Sequence, residues 1–246
     1  MRVISVYSMK GGVGKSSSSV NLAYNFARKG FRVLLWDLDS QGASSFYFKI
    51  KPKVKNIKKI VNGKIGLSDY IKGSDYHNLD IMPADFSYRN FDILLDDTKK
   101  SKKSLRLAIE EVCDDYDIVL LDSPPTISAL SNSIFYASDI ILTPLVPTTL
   151  SALTYERLLE YLKDEPEQAA KIFAFFSMVD ARKSLHKTII SSLVTSAKFL
   201  KHLIPYSSVV ERMGVHRSPI GEFEPHSIAN KCFVDLADEI IERFNL

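Results

Sequence analysis

Two lysines frame a glycine-rich stretch near the start of the chain, Met9-Lys10-Gly11-Gly12-Val13-Gly14-Lys15-Ser16. Apolar Arg2 to Ser8 precedes it and reads as a short buried strand. Lys15 to Arg28 follows with helical spacing, Val20, Leu22, Ala23, Phe26 and Ala27 sharing one broad apolar face. A glycine turn between a strand and a helix suits phosphate. The glycines let successive N–H groups point inward at phosphate oxygens, and the helix start adds partial positive charge. Lys15 can reach β- and γ-phosphates, the Ser16 hydroxyl can ligate Mg²⁺, and Ser17 continues the same lip.

Carboxylates complete such a site. The stretch Asp37-Leu38-Asp39-Ser40-Gln41-Gly42-Ala43-Ser44-Ser45 closes the second predicted strand, Phe31 to Trp36. Carboxylates at the C-terminal end of a strand beside a phosphate loop can reach metal and water. Asp37 and Asp39 are two apart, so they share a strand face only if the strand persists. Ile118 to Leu121 is a buried strand ending in Asp122, which is placed to hold Mg²⁺ through water; Ser123-Pro124-Pro125-Thr126 follows.

The elements that must position these groups alternate along the chain. Further strands are predicted at Leu79–Met82, Ile140–Leu145 and Ile172–Met178, with helices at Leu105–Cys113, Leu150–Leu162, Leu185–Phe199 and Ile228–Phe244. Short apolar strands alternating with amphipathic helices predict an α/β, doubly wound, mostly parallel sheet with helices on both faces. No repeat or linker divides the 246 residues, so residues 1–246 are expected to form a single domain. Cys113 and Cys232 lie far apart in apolar helical patterns and are expected to be buried, reduced thiols. Lys49, Lys51, Lys53, Lys55, Lys58, Lys59 and Lys64 crowd one stretch and Lys99, Lys100, Lys102 and Lys103 another; both are read as solvated surface. The segment from Lys49 to Gly66 is expected to be a surface insertion with a short helix. No apolar run is long enough to span a membrane and no signal peptide precedes the first strand, which predicts a cytoplasmic protein.

The loop departs from the ordinary G-x-x-x-x-G-K-[ST] pattern at its first position, where Met9 stands, and carries Lys10 instead. This K-G-G-V-G-K-S resembles the deviant Walker A of the ParA, Soj and MinD group of P-loop ATPases. The stretch from Asp37 is similar to that group's D-L-D-P-Q-G-N-x-[ST] element, with Ser40 and Ala43 as departures, and Asp122-Ser123-Pro124-Pro125 is similar to its D-x-P-P. Weaker likenesses extend along the chain: Pro144-Leu145-Val146-Pro147, Ser177-Met178-Val179-Asp180-Ala181-Arg182, and Ile204-Pro205 with Pro219-Ile220. The resemblance implies a Mg²⁺-dependent ATPase that forms a homodimer around two ATP molecules, Lys10 touching the partner's phosphates. It makes Asp39 the group that orients the attacking water and contributes to the metal site, gives Asp37 a supporting role, and puts Met178 and Pro205 beside the base. It also implies weak intrinsic hydrolysis stimulated by a ParB-like protein, and sequence-independent DNA binding in the ATP state during chromosome or plasmid partition.

Net charge is only +3, so a DNA footprint has to come from local clustering. Lys187, Lys198 and Lys201 fall close to one face of the predicted 185–199 helix, and Arg212 and Arg217 extend that patch. A MinD-like membrane anchor is disfavoured, because the closing helix carries four acidic residues and one arginine between Asp235 and Phe244. Two distant cysteines offer no cradle for the cluster of nitrogenase iron protein. The loop begins within ten residues of the start, leaving no room before it for a helix-turn-helix, so the shorter Soj-like type fits best, associated with the nucleoid. Two alternatives stay open: an ATPase that positions a protein cargo, as MinD- or FlhG-like members do, and a nucleotide-controlled assembly switch with negligible turnover.

Overall fold

The computed structural model describes residues 1–51, 66–85, 88 and 101–246. Its strands are β1 (Arg2–Val6), β2 (Val33–Asp37), β3 (Lys72–Gly73), β4 (Leu79–Met82), β5 (Ile118–Asp122), β6 (Ile140–Leu145) and β7 (Ile172–Phe176). Its described helices are α1 (Lys15–Arg28), α2 (Ala43–Tyr47), α3 (Ser101–Glu110), α4 (Ala129–Ala137), α5 (Thr149–Tyr161), α6 (Pro166–Ala170), α7 (Ser184–Leu193), α8 (Ser208–His216), α9 (Ile220–Phe223) and α10 (Ile228–Phe244). The strands form one sheet in the order β3-β4-β2-β5-β1-β6-β7, parallel except for the short edge pairing of β3 with β4. β5 lies in the middle with β1 beside it, and the other strands extend to both sides. The predicted doubly wound architecture is the observed one.

Strands buried on both faces must be apolar at nearly every position, and these are. β2, β5 and β6 are buried throughout. Alternate residues feed opposite layers. Ile4, Val6, Val33, Leu35, Ile118 and Leu120 pack with α1 and α10 through Val20, Phe26, Phe233 and Leu236. Val3, Leu34, Trp36, Val119 and Leu121 face the other way, onto α3 and α4. This parity decides where the site's carboxylates point. Asp37 continues the Val33, Leu35 series and Asp122 the Ile118, Leu120 series, so both face the α1 side.

Several boundaries differ from the sequence reading. β1 stops at Val6 and β7 at Phe176, where the backbone leaves the sheet to build loops. The 185–199 helix ends at Leu193. Beyond it the chain straightens along β7: Ala174 N donates to Lys198 O at 2.8 Å and Leu200 N to Ala174 O at 2.8 Å. Those bonds satisfy part of the edge strand and preclude helix there. α4 is absent from the sequence reading because its serines and Asn132 blur the apolar period; a capping box between Ser128 and Ser131 starts it.

Cys113 is exposed and Cys232 half-buried, contrary to the expectation of buried thiols. α3 ends at Glu110, so Cys113 falls in the following turn rather than on the helix's apolar face. Lys49, Lys51, Lys102 and Lys103 are exposed. The other lysines of the two runs, and most of the predicted insertion, lie outside the described residues. Among the described residues no helix is long and apolar enough to cross a membrane.

Candidate nucleotide site

The phosphate loop leaves the C-terminal end of β1 and enters α1 through Gly14, whose φ of 88° is left-handed, as is Gly12's at 70°. L-residues resist that region, so glycine at these two positions is what lets the loop curl. A Cβ on Gly14 would also sit 3.0 Å from Ser177 Oγ. No side chain caps α1 and no acidic residue stands in its first turn, which leaves the helix's first N–H groups free for an anion. Val13 is buried beneath the loop while Gly11 and Gly12 are exposed above it.

Lys15 is almost fully buried, and its Nζ donates to Lys10 O at 3.1 Å across the loop. Burial lowers its pKa, against the opposing pull of Asp122 and Asp39. The ammonium is therefore desolvated and flanked by carboxylates, held where phosphate charge would complement it.

Asp37 and Asp122 are register partners on adjacent strands, and both are fully buried. Asp37 Oδ2 accepts from Ser45 N at 2.8 Å and Ser45 Oγ at 2.7 Å. Asp122 accepts from Ser19 Oγ at 3.1 Å and Ser44 Oγ at 2.7 Å. Burial raises the pKa of each, and the neighbouring Asp122 charge raises that of Asp37 further. The strand does not persist to Asp39. Leu38 N still donates to Asp122 O, at 2.9 Å, but Gly42 N donates to Asp39 O at 2.9 Å and closes a turn. Asp39 is thus a half-buried loop carboxylate, its Oδ1 accepting from Gln41 N at 2.9 Å.

These contacts bring Lys15, Asp39 and Asp122 to one end of the sheet beside the start of α1, with Ser16 near enough to Asp122 to favour its charged form. Among the described residues no group of three or more His, Cys, Asp or Glu side chains is placed to hold a metal. A hard cation that keeps several waters and binds through one or two carboxylates, a hydroxyl and phosphate oxygens needs no such cage. Two adjacent buried carboxylates short of positive charge fit a divalent ion. Ser19, Ser44 and Ser45 escaped the sequence reading, although Ser44 and Ser45 stand inside the quoted Asp37 stretch.

The structure brings Met178 and Pro205 together. Val179 and Pro205 form a parallel bridge, and Met178, with φ of 53°, shares a pocket with Gly14, Ser17, Pro205 and Tyr206. That pocket opens directly beside the phosphate loop.

The basic residues are not brought onto one helix face, which corrects that part of the sequence reading. Lys187 is exposed on α7, but Lys198 and Lys201 lie beyond its end on the segment that straightens along β7. Lys198 Nζ sits 4.7 Å above the Phe173 ring. Arg212 pairs with Glu224 at 2.8 Å, and Arg217 lies 4.5 Å above Phe46 while donating to its carbonyl oxygen.

Residues 1–174 match a family model described as an AAA domain. A virulence plasmid ParA family protein, pGP5-D of Chlamydia muridarum, is 31% identical over 189 residues, 74% of this chain and 70% of the relative. The chain belongs to the ParA family of P-loop ATPases. The sporulation initiation inhibitor protein Soj of Bacillus subtilis is 29% identical over 247 residues, 97% of this chain and 98% of Soj. Among solved structures, a plasmid partition protein from Borrelia burgdorferi bound to AMPPNP superposes with a TM-score of 0.84 at 22% identity, covering 98% of this chain and 99% of that one. Cobyrinic acid a,c-diamide synthase from Mycobacterium smegmatis, with a bound ATP analogue and magnesium, gives 0.83 at 21% identity over 99% and 95% of the two chains. ParA-family partition and a biosynthetic synthase therefore share this architecture, and the fold alone does not choose between them.

Proposed function

We propose that residues 1–246 act as one Mg²⁺-dependent ATPase unit that partitions a chromosome or plasmid. The observation that carries this is the convergence of the Lys10–Ser16 loop with Asp39 and Asp122 at one end of the sheet, in a chain of the ParA family. Phosphate oxygens sit on the loop's N–H groups and on Lys15 Nζ. Ser16 and Asp122 hold Mg²⁺, with Asp39 beside them; the ion supplies charge neutralisation at the phosphates. Asp39, the most accessible of the three carboxylates, orients the attacking water. Asp37 holds Ser45 and the turn behind it. Met178 and Pro205 flank the base, next to Ser17.

Lys10 reaches across a nucleotide-sandwich homodimer, adding positive charge where it develops during phosphoryl transfer. ATP then controls assembly as well as fuelling it, and a ParB-like partner stimulates a slow intrinsic turnover. The ATP-bound dimer binds DNA without reading sequence, through Lys187, Lys198, Lys201, Arg212 and Arg217, in the cytoplasm on the nucleoid. The test is binding to random duplex DNA with ATP, ADP and no nucleotide over a salt series. Binding that requires ATP and falls steeply with salt supports the reading.

The second reading, a positioning ATPase for a protein cargo, draws on the basic residues themselves. Arg212 and Arg217 are engaged within the subunit, which weakens the case for them as a phosphate footprint. ATP-dependent dimers that leave DNA unbound at every salt concentration would favour it.

A further inference from the structure

Lys10 is not extended into solvent in the free subunit. Its Nζ donates to Ser151 Oγ at 3.3 Å, 141 residues away in sequence. Ser151 is buried in the first turn of α5, and its hydroxyl is fixed from a second side by Thr148 Oγ1 at 2.9 Å. Behind this contact lies a narrow cleft bounded by Lys10, Ser151, Thr143 and Tyr155. It leaves room for about one water-sized group, the size of an ammonium head. Thr143 is 2% exposed and Tyr155 7%, and neither Thr143 Oγ1 nor Tyr155 Oη has a hydrogen-bond partner among the described residues. Burial pushes the Tyr155 phenol up to about 12, so it stays a neutral hydroxyl able to accept a bond. With the ammonium on Ser151 these two hydroxyls stay unpaired, so Ser151, backed by Thr148, is the group that holds it.

We propose that Ser151 is a positioning residue for Lys10: backed by Thr148, it forms a seat inside the subunit that holds the Lys10 ammonium in the free protein and competes with its reach to a partner's phosphates. This rests on the dimer reading given above. A subunit then has to release Lys10 from Ser151 before the lysine can serve in trans, so the seat raises the concentration at which ATP assembles the dimer. Because Ser151 N donates to Thr148 Oγ1, the cap of α5 survives loss of the Ser151 hydroxyl.

Two measurements on the full chain test this. The first is ¹⁵N NMR of the Lys10 ammonium in nucleotide-free protein, assigned with K10R. A slowly exchanging signal in the wild type that disappears in S151A supports the seat; an ammonium signal unchanged in S151A overturns it. The second is sedimentation with ATP as a function of protein concentration, in a D39A background that slows turnover. S151A should lower the dimerisation midpoint about three- to tenfold. An unchanged or raised midpoint in S151A overturns the competition. If D39A protein stays monomeric with ATP at every concentration, the dimer reading itself fails, and the ammonium signal alone decides whether the seat exists.

Discussion

Asp37 and Asp122 stand side by side as the last residues of neighbouring parallel strands, both fully buried and both facing α1. Their nearest donors are serine hydroxyls and a backbone N–H, and the Lys15 charge pulls on Asp122. Two carboxylates in that position cannot both ionise cheaply, and Asp37 is pushed up to about 8 by burial and by Asp122. A group whose pKa is higher folded than unfolded binds more protons in the native state, so its stabilising contribution is complete below its ordinary range and lost as pH rises towards 8. Thermal denaturation of the nucleotide-free protein should therefore show stability declining between about pH 4 and about pH 8. Asp37→Asn should flatten that slope, and added Mg²⁺ should flatten it in the wild type.

Lys15→Ala removes the buried ammonium that faces the phosphate position. Nucleotide affinity should fall about 10- to 100-fold, the cost of losing charge-assisted bonds in a desolvated site. A fluorescent ATP analogue titrated against wild type and variant checks this. An affinity within a factor of about two of wild type would remove Lys15 from the phosphate site.

Asp39→Ala should behave differently. The residue lies on a turn outside the Asp37–Asp122 pair, so nucleotide binding should persist while turnover drops about 100-fold or more. Steady-state phosphate release measured beside nucleotide affinity separates the two effects. Equal turnover in both proteins would sink the hydrolytic role of Asp39 and favour the assembly-switch alternative.

Two of the three loop glycines, Gly14 and Gly11, should differ in tolerance. Gly14→Ala meets a left-handed backbone and a Cβ contact of 3.0 Å with Ser177 Oγ, so it should cost about 1–2 kcal/mol and weaken nucleotide binding. Gly11 has nothing within 4 Å of an added Cβ, so Gly11→Ala should leave the melting temperature within about 2 °C of wild type. Paired melting curves decide it.

Among the basic residues, Lys187→Ala and Lys201→Ala should each lower the salt slope of DNA binding by about one without altering stability. Arg217→Ala should instead lower the melting temperature by about 1–3 °C, because its guanidinium covers Phe46 and bonds the Phe46 carbonyl. Melting curves and DNA titrations across salt, run on the same three variants, distinguish packing from contact with phosphate.

Whatever depends on neighbours along the chain is already present in the order of the residues. Glycines at fixed offsets dictate the curl between Val6 and Lys15, an unbroken apolar run dictates that β5 is buried on both faces, and Asp122 ends it by position alone. Alternating strands and helices then leave few arrangements other than a doubly wound sheet. Tertiary structure decided what depends on contacts between distant segments. Ser19, Ser44 and Ser45 became carboxylate partners only once β2 and β5 aligned beneath α1. Lys198 left the predicted helix because the edge of β7 offered backbone bonds that compete with helical ones. Ser151 met Lys10 only because β6 lies beside β1 and delivers the start of α5 to the phosphate loop. Local spacing carries backbone preference and burial, whereas the pairing of polar side chains is fixed by strand register and by the order in which strands are laid down.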